Sequence, residues 1–482
     1  MDINEATVRN IVEQVVNSMT PSAQQASPTT SGDGVPPAPI ALGNGVFSTI
    51  DEAATATVAA QKQWISLPIE KRKVVVEAVR RVGIENAEMF ARETFAETGM
   101  GRVADKIAKH IGCATLTPGF EDLETTAWSG DHGLTIEEMA PFGVIGAVTP
   151  STHPVPTMLN NTISNLVAGN GAVFNGHPGG KRVFAHGLAL MNQAIVAAGG
   201  PANIVSCVAE PTIESANEMF NHPDIRLLLI TGGPGVVKAA MTAPKRVIAA
   251  GPGNPPVVVD ETADLQKAAI SIINGASFDC NVLCTGEKEV FVVDTVADEL
   301  KRHMVANGCY ELTTQQIEQL AAQVFQTKEG SSEPVLNRAR VGNEPAALAA
   351  TIGLQVPATT RMLIGETSKD HHFVQHEQMT SFLPIVRTRD VDQAIDFALE
   401  AEHGFGHTSM IHSRNIAAMD KMARLVNTTI FVKNGPSYAG GGSEGEGTLS
   451  YSIATPTGEG LTTARTFTRK RRCALVDYFR IV

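Results

Sequence analysis

Cys284 closes the stretch Asn274-Gly-Ala-Ser-Phe-Asp-Cys-Asn-Val-Leu-Cys284 and stands just ahead of an apolar, strand-like run, Glu289 to Val293. A thiol held as thiolate in a polar, reachable setting adds to electron-poor carbons, whereas most cysteines of a reducing compartment are small buried hydrophobes. Cys280 shares the loop. The separation of the two thiols would also suit half of a zinc site, but no matching second pair accompanies it, which leaves nucleophilic chemistry as the stronger expectation. Two glycine-bearing turns offer another chemistry. Thr231-Gly-Gly-Pro-Gly235 leads from an apolar run into a helical one, and glycines there let backbone amides at a helix N-terminus approach a pyrophosphate. The full G-x-G-x-x-G fingerprint is absent, and such turns also arise for structural reasons alone. Asn175-Gly-His-Pro-Gly-Gly-Lys-Arg182 sets Lys181 and Arg182 beside a flexible backbone, as a binding loop or as a solvated turn.

Such loops need a scaffold, and the hydrophobic pattern describes one. Between Phe142 and Asp260, strand-like runs are expected at Val144 to Thr149, Ala172 to Asn175, Ile204 to Val208, Leu227 to Thr231, Arg246 to Ala250 and Pro256 to Val259. Helical stretches separate most of them, near Thr157 to Ala168, Val183 to Ala198, Ile213 to Phe220 and Val236 to Met241. Strand and helix in alternation mean βαβ units, a doubly wound parallel sheet and an α/β fold class, with ligands at the carboxyl ends of the strands. After Asp260 a helix is expected from Ala263 to Ala276, then the Cys284 loop. A second alternating set follows, with strands near Met362 to Gly365, Leu383 to Val386, Ser409 to His412 and Thr429 to Lys433, and helices from Val391 to Glu402 and from Ile416 to Val426. That is a second α/β domain. Thr314 to Gly353 reads as a polar helical insertion.

The flanks are of a different kind. Val8, Ile11, Val12, Val15, Val16 and Met19 recur at helical spacing, so residues 1–19 read as a short amphipathic helix. Residues 20–44, with Pro21, Pro28, Pro36, Pro37 and Pro39 among small polar residues, read as a disordered linker. Such a helix could pack on its own domain or a sister subunit; the long tether favours an address peptide that lays its apolar face in a groove of another protein. Val46 to Gly112 is helical, with Asp51 opening one helix and Lys71 to Phe95 forming another. Around Gly130-Asp-His-Gly133, residues 124–140 suit a projecting β hairpin that acts as an intersubunit arm. A glycine-rich tail from Gly440 ends in Ala474 to Val482, which suits a strand added to a neighbour's sheet, so a homodimer or homotetramer is expected. The segments are accordingly 1–19, 20–44, a nucleotide-binding domain 45–256, a catalytic domain 257–439 and a tail 440–482.

At 482 residues with a formal charge of -12, the chain has room for two to three domains and no basic field, which excludes nucleic acid as an expected partner. Phosphate-bearing ligands stay open to it through local amides and single basic residues. Six cysteines, at 113, 207, 280, 284, 309 and 473, are too scattered for a disulfide framework and point to the cytoplasm. No apolar run reaches the roughly 18 to 20 residues of a membrane span, and no secretory signal opens the sequence.

Four stretches in order, Pro141-Phe-Gly-Val-Ile-Gly-Ala-Val-Thr-Pro150, Thr231-Gly-Gly-Pro-Gly235, Gly251-Pro-Gly-Asn-Pro-Pro-Val-Val-Val-Asp260 and the Cys284 loop, resemble the aldehyde dehydrogenase superfamily. Glu97-Thr-Gly-Met-Gly101, Gly275-Ala-Ser-Phe-Asp279, Phe431-Val-Lys-Asn-Gly-Pro436 and Ala454-Thr-Pro-Thr-Gly-Glu-Gly460 look like its CoA-acylating branch, found in ethanolamine and propanediol utilisation. The resemblance spans about residues 45 to 482. It implies a nucleophilic cysteine twenty residues after Asp264, which selects Cys284 over Cys280. It also implies NAD as cofactor, coenzyme A as co-substrate, and a thiohemiacetal whose oxyanion is held by the Cys284 amide and a group from the Pro150-Ser-Thr-His-Pro154 loop, Thr152 or His153. Close relatives usually carry asparagine at the place of His153. The hydrolytic enzymes have a water-activating glutamate six residues before the proline matched by Pro256; Ala250 stands there and cannot take a proton, so the acyl group should go to coenzyme A.

Cofactor contacts implied by the resemblance are Thr149, Pro150, His177, Pro178, Gly179, Lys181, Thr231, Gly232, Gly233, Ala250, Gly251 and Glu377. His177 and Gly180 replace a usual lysine and glutamate of the adenosine loop. Without that carboxylate the preference for NAD over NADP is less strict. Glu377 falls where a nicotinamide-ribose carboxylate is expected, with Ser381 replacing a proline after it. In microcompartment members of the branch, a helix and linker like 1–19 and 20–44 direct the enzyme into a protein shell. A hydrolytic dehydrogenase and a non-catalytic compartment component are the competing readings.

Overall fold

The computed structural model describes residues 37–327 and 334–482. The expected helix 1–19 and residues 20–36 of the expected linker lie outside the described residues. Residues 37–44 are irregular chain, but they are not loose: Pro37 is buried, and the Arg182 guanidinium donates to the Ala38 carbonyl at 3.4 Å. The end of the expected tether is thus docked.

The described residues form two compact units. One comprises 37–97, Lys109–Gly251 and Thr448–Val482. Its six-stranded sheet is parallel throughout, in the order Val46–Phe47, Val205–Val208, Gly171–Asn175, Val144–Val148, Ile225–Thr231, Arg246–Ala250. Every residue of Val144–Val148 and Gly171–Asn175 is buried, which is why these strands read as unbroken apolar runs rather than alternating ones. The next strand after Val144–Val148 in sequence lies on one side of it and Ile225–Thr231 on the other, so the chain reverses direction across the sheet there. Such a switch point is where doubly wound sheets bind ligands.

The helix Ile50–Ser66 starts at a capping box between Thr49 and Glu52 and buries Ile50, Ala53, Ala54, Thr57, Ala60 and Trp64 at helical spacing. The Trp64 indole donates to the Leu166 carbonyl at 3.0 Å. Where the sequence suggested one helix from Lys71 to Phe95, there are two, Ile69–Glu85 and Ala87–Thr98. The break falls at Asn86, whose side chain donates to the Val82 carbonyl and so competes with the helical backbone.

The hairpin Thr126–Gly130 and Gly133–Pro141 forms where expected. The terminal strand does not. It begins earlier, as Thr468–Val476, and pairs along its whole length with Gly133–Pro141 of the same chain, in place of the expected strand Ala474 to Val482 lent to a neighbour. Lys470 and Arg472 reach Glu137 across this pair at 3.2 and 2.9 Å. Those charges hid the strand from an apolar pattern.

The other unit comprises Thr98–Ala108 and Pro252–Gly447. Its seven-stranded sheet is also parallel, ordered Cys309–Glu311, Met362–Glu366, Phe382–Thr388, Glu289–Val293, Pro256–Val259, Thr408–His412, Ile430–Lys433. Pro256–Val259 belongs here, so the division falls after Gly251 rather than after 256, and Thr98–Ala108 and Thr448–Val482 are not grouped as contiguous segments would group them. Thr314 to Gly353 is no polar insertion. Its helices Thr314–Val324 and Pro345–Ala350 bury Ile317, Leu320, Val324 and Leu348 in a cluster with Leu363, Phe373 and Phe382, and a short antiparallel pair, Phe325–Thr327 with Pro334–Leu336, lies between them. Among the described residues no helix is long and apolar enough to cross a membrane.

Candidate active site

The helix Leu265–Ser277 is capped by Asp264, whose carboxylate accepts from the Lys267 amide at 3.1 Å, and it delivers the chain to the Cys284 loop. Past its end, Asp279, Cys280 and Asn281 adopt φ of 49°, 55° and 64° in succession. Three consecutive side-chain-bearing residues in the left-handed region store strain, which surrounding contacts must hold. The wholly buried Asp279 carboxylate accepts from the Arg102 amide at 2.7 Å and the Lys106 ammonium at 2.9 Å. Gly101 makes room: a Cβ there would lie 1.9 Å from Asp279 Oδ1. At the other end, the Asn281 side-chain Nδ2 donates to the Glu287 carbonyl at 2.9 Å. Lys288 Nζ donates to the Asn281 carbonyl at 3.1 Å, to the Leu283 carbonyl at 2.9 Å and to Asn281 Oδ1.

The turn separates the two thiols. Cys284 is half-exposed, while Cys280 is buried and its thiol is pushed up to about 12 by burial. Burial does the same to Cys113, Cys207 and Cys309, and Cys473 is exposed on the terminal strand.

Several ionisable groups that flank the Cys284 loop or pack against it are buried or half-buried. Burial lowers the fully buried Lys288 ammonium to about 8, against the pull of Glu377, Cys284, Glu289 and Glu287. Burial raises the Glu287 carboxyl to about 7, although the Ser437 amide and hydroxyl donate to it at 2.8 and 2.9 Å. Glu289 is pushed well above the carboxylate range, again by burial. His407 is lowered to about 4 by burial and by Lys288, so it is a neutral imidazole at physiological pH; its Nδ1 lies 2.8 Å from the Thr408 hydroxyl. Glu377 keeps part of its surface accessible, but burial still raises its carboxyl, which accepts from the Gly253 amide at 3.4 Å. Gly253 itself is required by close approach: a Cβ would lie 2.7 Å from the Cys284 carbonyl oxygen and 2.8 Å from the His407 ring. All these groups stand at or before the amino ends of Pro256–Val259, Glu289–Val293, Phe382–Thr388 and Thr408–His412. In this sheet the candidate chemistry thus gathers at the end opposite to the one where parallel sheets usually bind ligands.

The remaining candidates belong to the first unit and follow the usual rule. At the end of Val144–Val148, Thr149 is buried and its hydroxyl has no hydrogen-bond partner among the described residues, an orphan that calls for a polar ligand. Pro150 and Thr152 are half-buried. His153 is the N-cap residue of Pro154–Val167; its ring packs edge-on against Tyr451 at 5.6 Å, with Nδ1 3.3 Å from the Lys109 ammonium. Thr231 Oγ1 lies 2.7 Å from Ser452 Oγ, and Gly232 and Gly233 lead into the helix Pro234–Met241, whose N-terminus no side chain of the described residues caps. A Cβ on Gly233 or Gly235 would meet nothing within 4 Å, so there is open space beside these two residues. The other turn differs. His177 accepts from the Gly179 amide at 3.0 Å, Pro178 and Gly179 are exposed, and Lys181 pairs with Glu210. Glu97 already accepts from the amides of Arg182 and Val183 at 2.9 and 2.8 Å, so the helix start behind this turn is satisfied from within. Ala250 is buried at the end of its strand, and a Cβ on Gly251 would press on Pro456 at 2.7 Å. The orphan hydroxyl and uncapped helix start fit a nucleotide's polar and phosphate groups.

Lys288, Glu287, His407, Gly253 and the Lys106–Asp279 pair were not found from sequence. One signal was available: Glu287-Lys-Glu289 runs straight into an apolar strand with no loop left to solvate the charges.

Residues 42–442 match the aldehyde dehydrogenase family. The chain is 46% identical over 481 residues to an acetaldehyde dehydrogenase (acetylating), EutE, of Salmonella typhimurium, covering all of both chains. A propionaldehyde dehydrogenase from the Clostridium phytofermentans fucose utilisation bacterial microcompartment superposes with a TM-score of 0.89 at 46% identity, over 91% of this chain and all of that one. A Rhodopseudomonas palustris propionaldehyde dehydrogenase, solved with bound CoA and an acylated cysteine, gives 0.87 at 44% identity, over 90% of this chain and 99% of that one.

Proposed function

The chain belongs to the aldehyde dehydrogenase family, and we propose that within it this enzyme oxidises a short-chain aldehyde, such as acetaldehyde, propionaldehyde or lactaldehyde, to the acyl-CoA. NAD+ is the cofactor and coenzyme A the co-substrate. The observation that carries the choice of acceptor is Ala250: a buried methyl group stands where the resemblance calls for the carboxylate that would activate water.

Cys284 adds as thiolate to the aldehyde carbon, and the oxygen takes the negative charge. The Cys284 amide and the Thr152–His153 loop are the proposed donors to that oxygen. NAD+, when bound, supplies the acceptor for the hydride that leaves as the carbonyl re-forms. The product is a thioester on Cys284. With no base at Ala250 to activate water, the thioester waits for the CoA thiol, which gives its proton to solvent, attacks the carbonyl as thiolate and expels the Cys284 thiolate.

Thr231, Gly232 and Gly233 suit the pyrophosphate, and His177, Pro178, Gly179 and Lys181 the adenosine. Thr149, Pro150, Ala250, Gly251 and Glu377 suit the nicotinamide half. The enzyme works as a homodimer or homotetramer in the cytoplasm, inside a bacterial microcompartment, addressed to a shell protein by residues 1–19. Similarity to a microcompartment dehydrogenase supports the location. The test is steady-state NADH formation from propionaldehyde with and without CoA. Sustained turnover is expected only with CoA, and equal rates in both arms would refute the acylating reaction.

A further inference from the structure

Lys288 is a fully buried ammonium with no opposite charge within salt-bridge distance among the described residues, and its three hydrogen bonds all go to oxygens of the turn Asn281–Leu283. A cation of this kind is costly to bury, and what it holds is the backbone that immediately precedes Cys284. The turn is strained, with Asp279, Cys280 and Asn281 all at positive φ, and it would relax without a clamp at each end. Lys106 holds Asp279 at one end. Lys288 holds Asn281 and Leu283 at the other.

We infer that Lys288 is a positioning residue for Cys284: its ammonium fixes the Asn281 and Leu283 carbonyls so that the following amide and thiol are presented together, and it supplies the positive charge that favours the thiolate. Besides Cys284, the ionisable groups facing it are Glu377, Glu289, Glu287 and His407. Burial raises the Glu289 carboxyl and so disfavours its anion, and it keeps His407 neutral at neutral pH, so His407 adds no competing positive charge. The attraction is mutual: a thiolate that favours the ammonium is favoured by it to the same extent. The inference rests on Cys284 being the nucleophile, but it concerns the resting thiol and not the fate of the acyl group.

The test reads that thiol directly. Alkylation of Cys284 by iodoacetamide is followed against pH by peptide-resolved mass spectrometry, which separates it from the exposed Cys473. In Lys288→Met the midpoint of the alkylation profile should rise by about one pH unit or more, a roughly tenfold slower reaction at neutral pH, while Lys288→Arg should restore most of it. An unchanged midpoint in a folded Lys288→Met protein, or an equal shift in Lys288→Arg, would overturn the inference. Should neither variant fold, thiolate absorbance of the wild type minus that of Cys284→Ala gives the midpoint without them. A value below the ordinary thiol range of about 8.5 is expected, and one at or above it would overturn the inference. Either failure leaves CoA-dependent turnover untouched.

Discussion

A cysteine becomes a nucleophile through its surroundings, and in this chain the surroundings of two thiols four positions apart differ sharply. Cys280 points into the protein and is held as an inert thiol, whereas Cys284 emerges half-exposed above a buried ammonium. The charged residues beneath it make stability pH-dependent. The Glu287 carboxyl rises from an ordinary value near 4.5 to about 7 through burial, so the folded state holds a proton that the unfolded state has released. The resulting stabilisation is fully present below pH 4.5 and is lost as pH rises through 7, a difference of up to about 3 kcal/mol. Thermal denaturation of wild type and Glu287→Gln at pH 5 and pH 7.5 should show a smaller loss between the two pH values in the variant. Equal losses would mean that Glu287 does not carry the effect.

At the scale of elements, the strands were legible because parallel sheets covered on both faces are written as apolar runs, and Val144–Val148 or Glu289–Val293 could scarcely be anything else. Helix caps such as Asp264 and Asn415 lie where the helical pattern begins, so Leu265–Ser277 and Ile416–Val426 came within two residues of expectation. The strand Thr468–Val476 was missed in part because cross-strand ion pairs, not apolar contacts, tie its charged half to Glu137. The site was legible as a cysteine and two glycine turns; the rest was not, because no local pattern announces that Lys106 will meet Asp279 across 173 residues. Nor does one mark the left-handed turn, whose geometry depends on that pair and on the missing Cβ of Gly101. Gly101→Ala should therefore cost about 2 kcal/mol or more, since the residue sits at φ 75° with Asp279 Oδ1 1.9 Å from the added carbon. Chemical denaturation measures this loss, and a variant as stable as wild type would show that the turn yields easily.

At the scale of the whole molecule, two parallel sheets divide the work. In the proposed account the first sheet offers its carboxyl ends, with the orphan Thr149 hydroxyl and the uncapped start of Pro234–Met241, to a nucleotide. The second offers its amino ends, where Cys284 and its buried support gather. Contiguous segments of sequence could not reveal this division, because each unit recruits chain from distant positions, Thr98–Ala108 for one and Thr448–Val482 for the other. Residues 1–19 are needed for neither in the proposed account. Deleting them should leave aldehyde oxidation within about twofold of the full chain and abolish co-purification with shells, as the helix-in-groove mode of docking requires; unchanged packaging would refute the address role.

The central claim is that the acyl group on Cys284 is kept from water and handed to coenzyme A. The most direct measurement mixes the enzyme with NAD+ and propionaldehyde, removes both, and follows the acyl mass on the Cys284 peptide. That mass should persist in buffer for many turnover times and vanish, with acyl-CoA appearing, as soon as CoA is added. Rapid decay to free acid in buffer alone, or acyl mass on Cys280, would contradict the account.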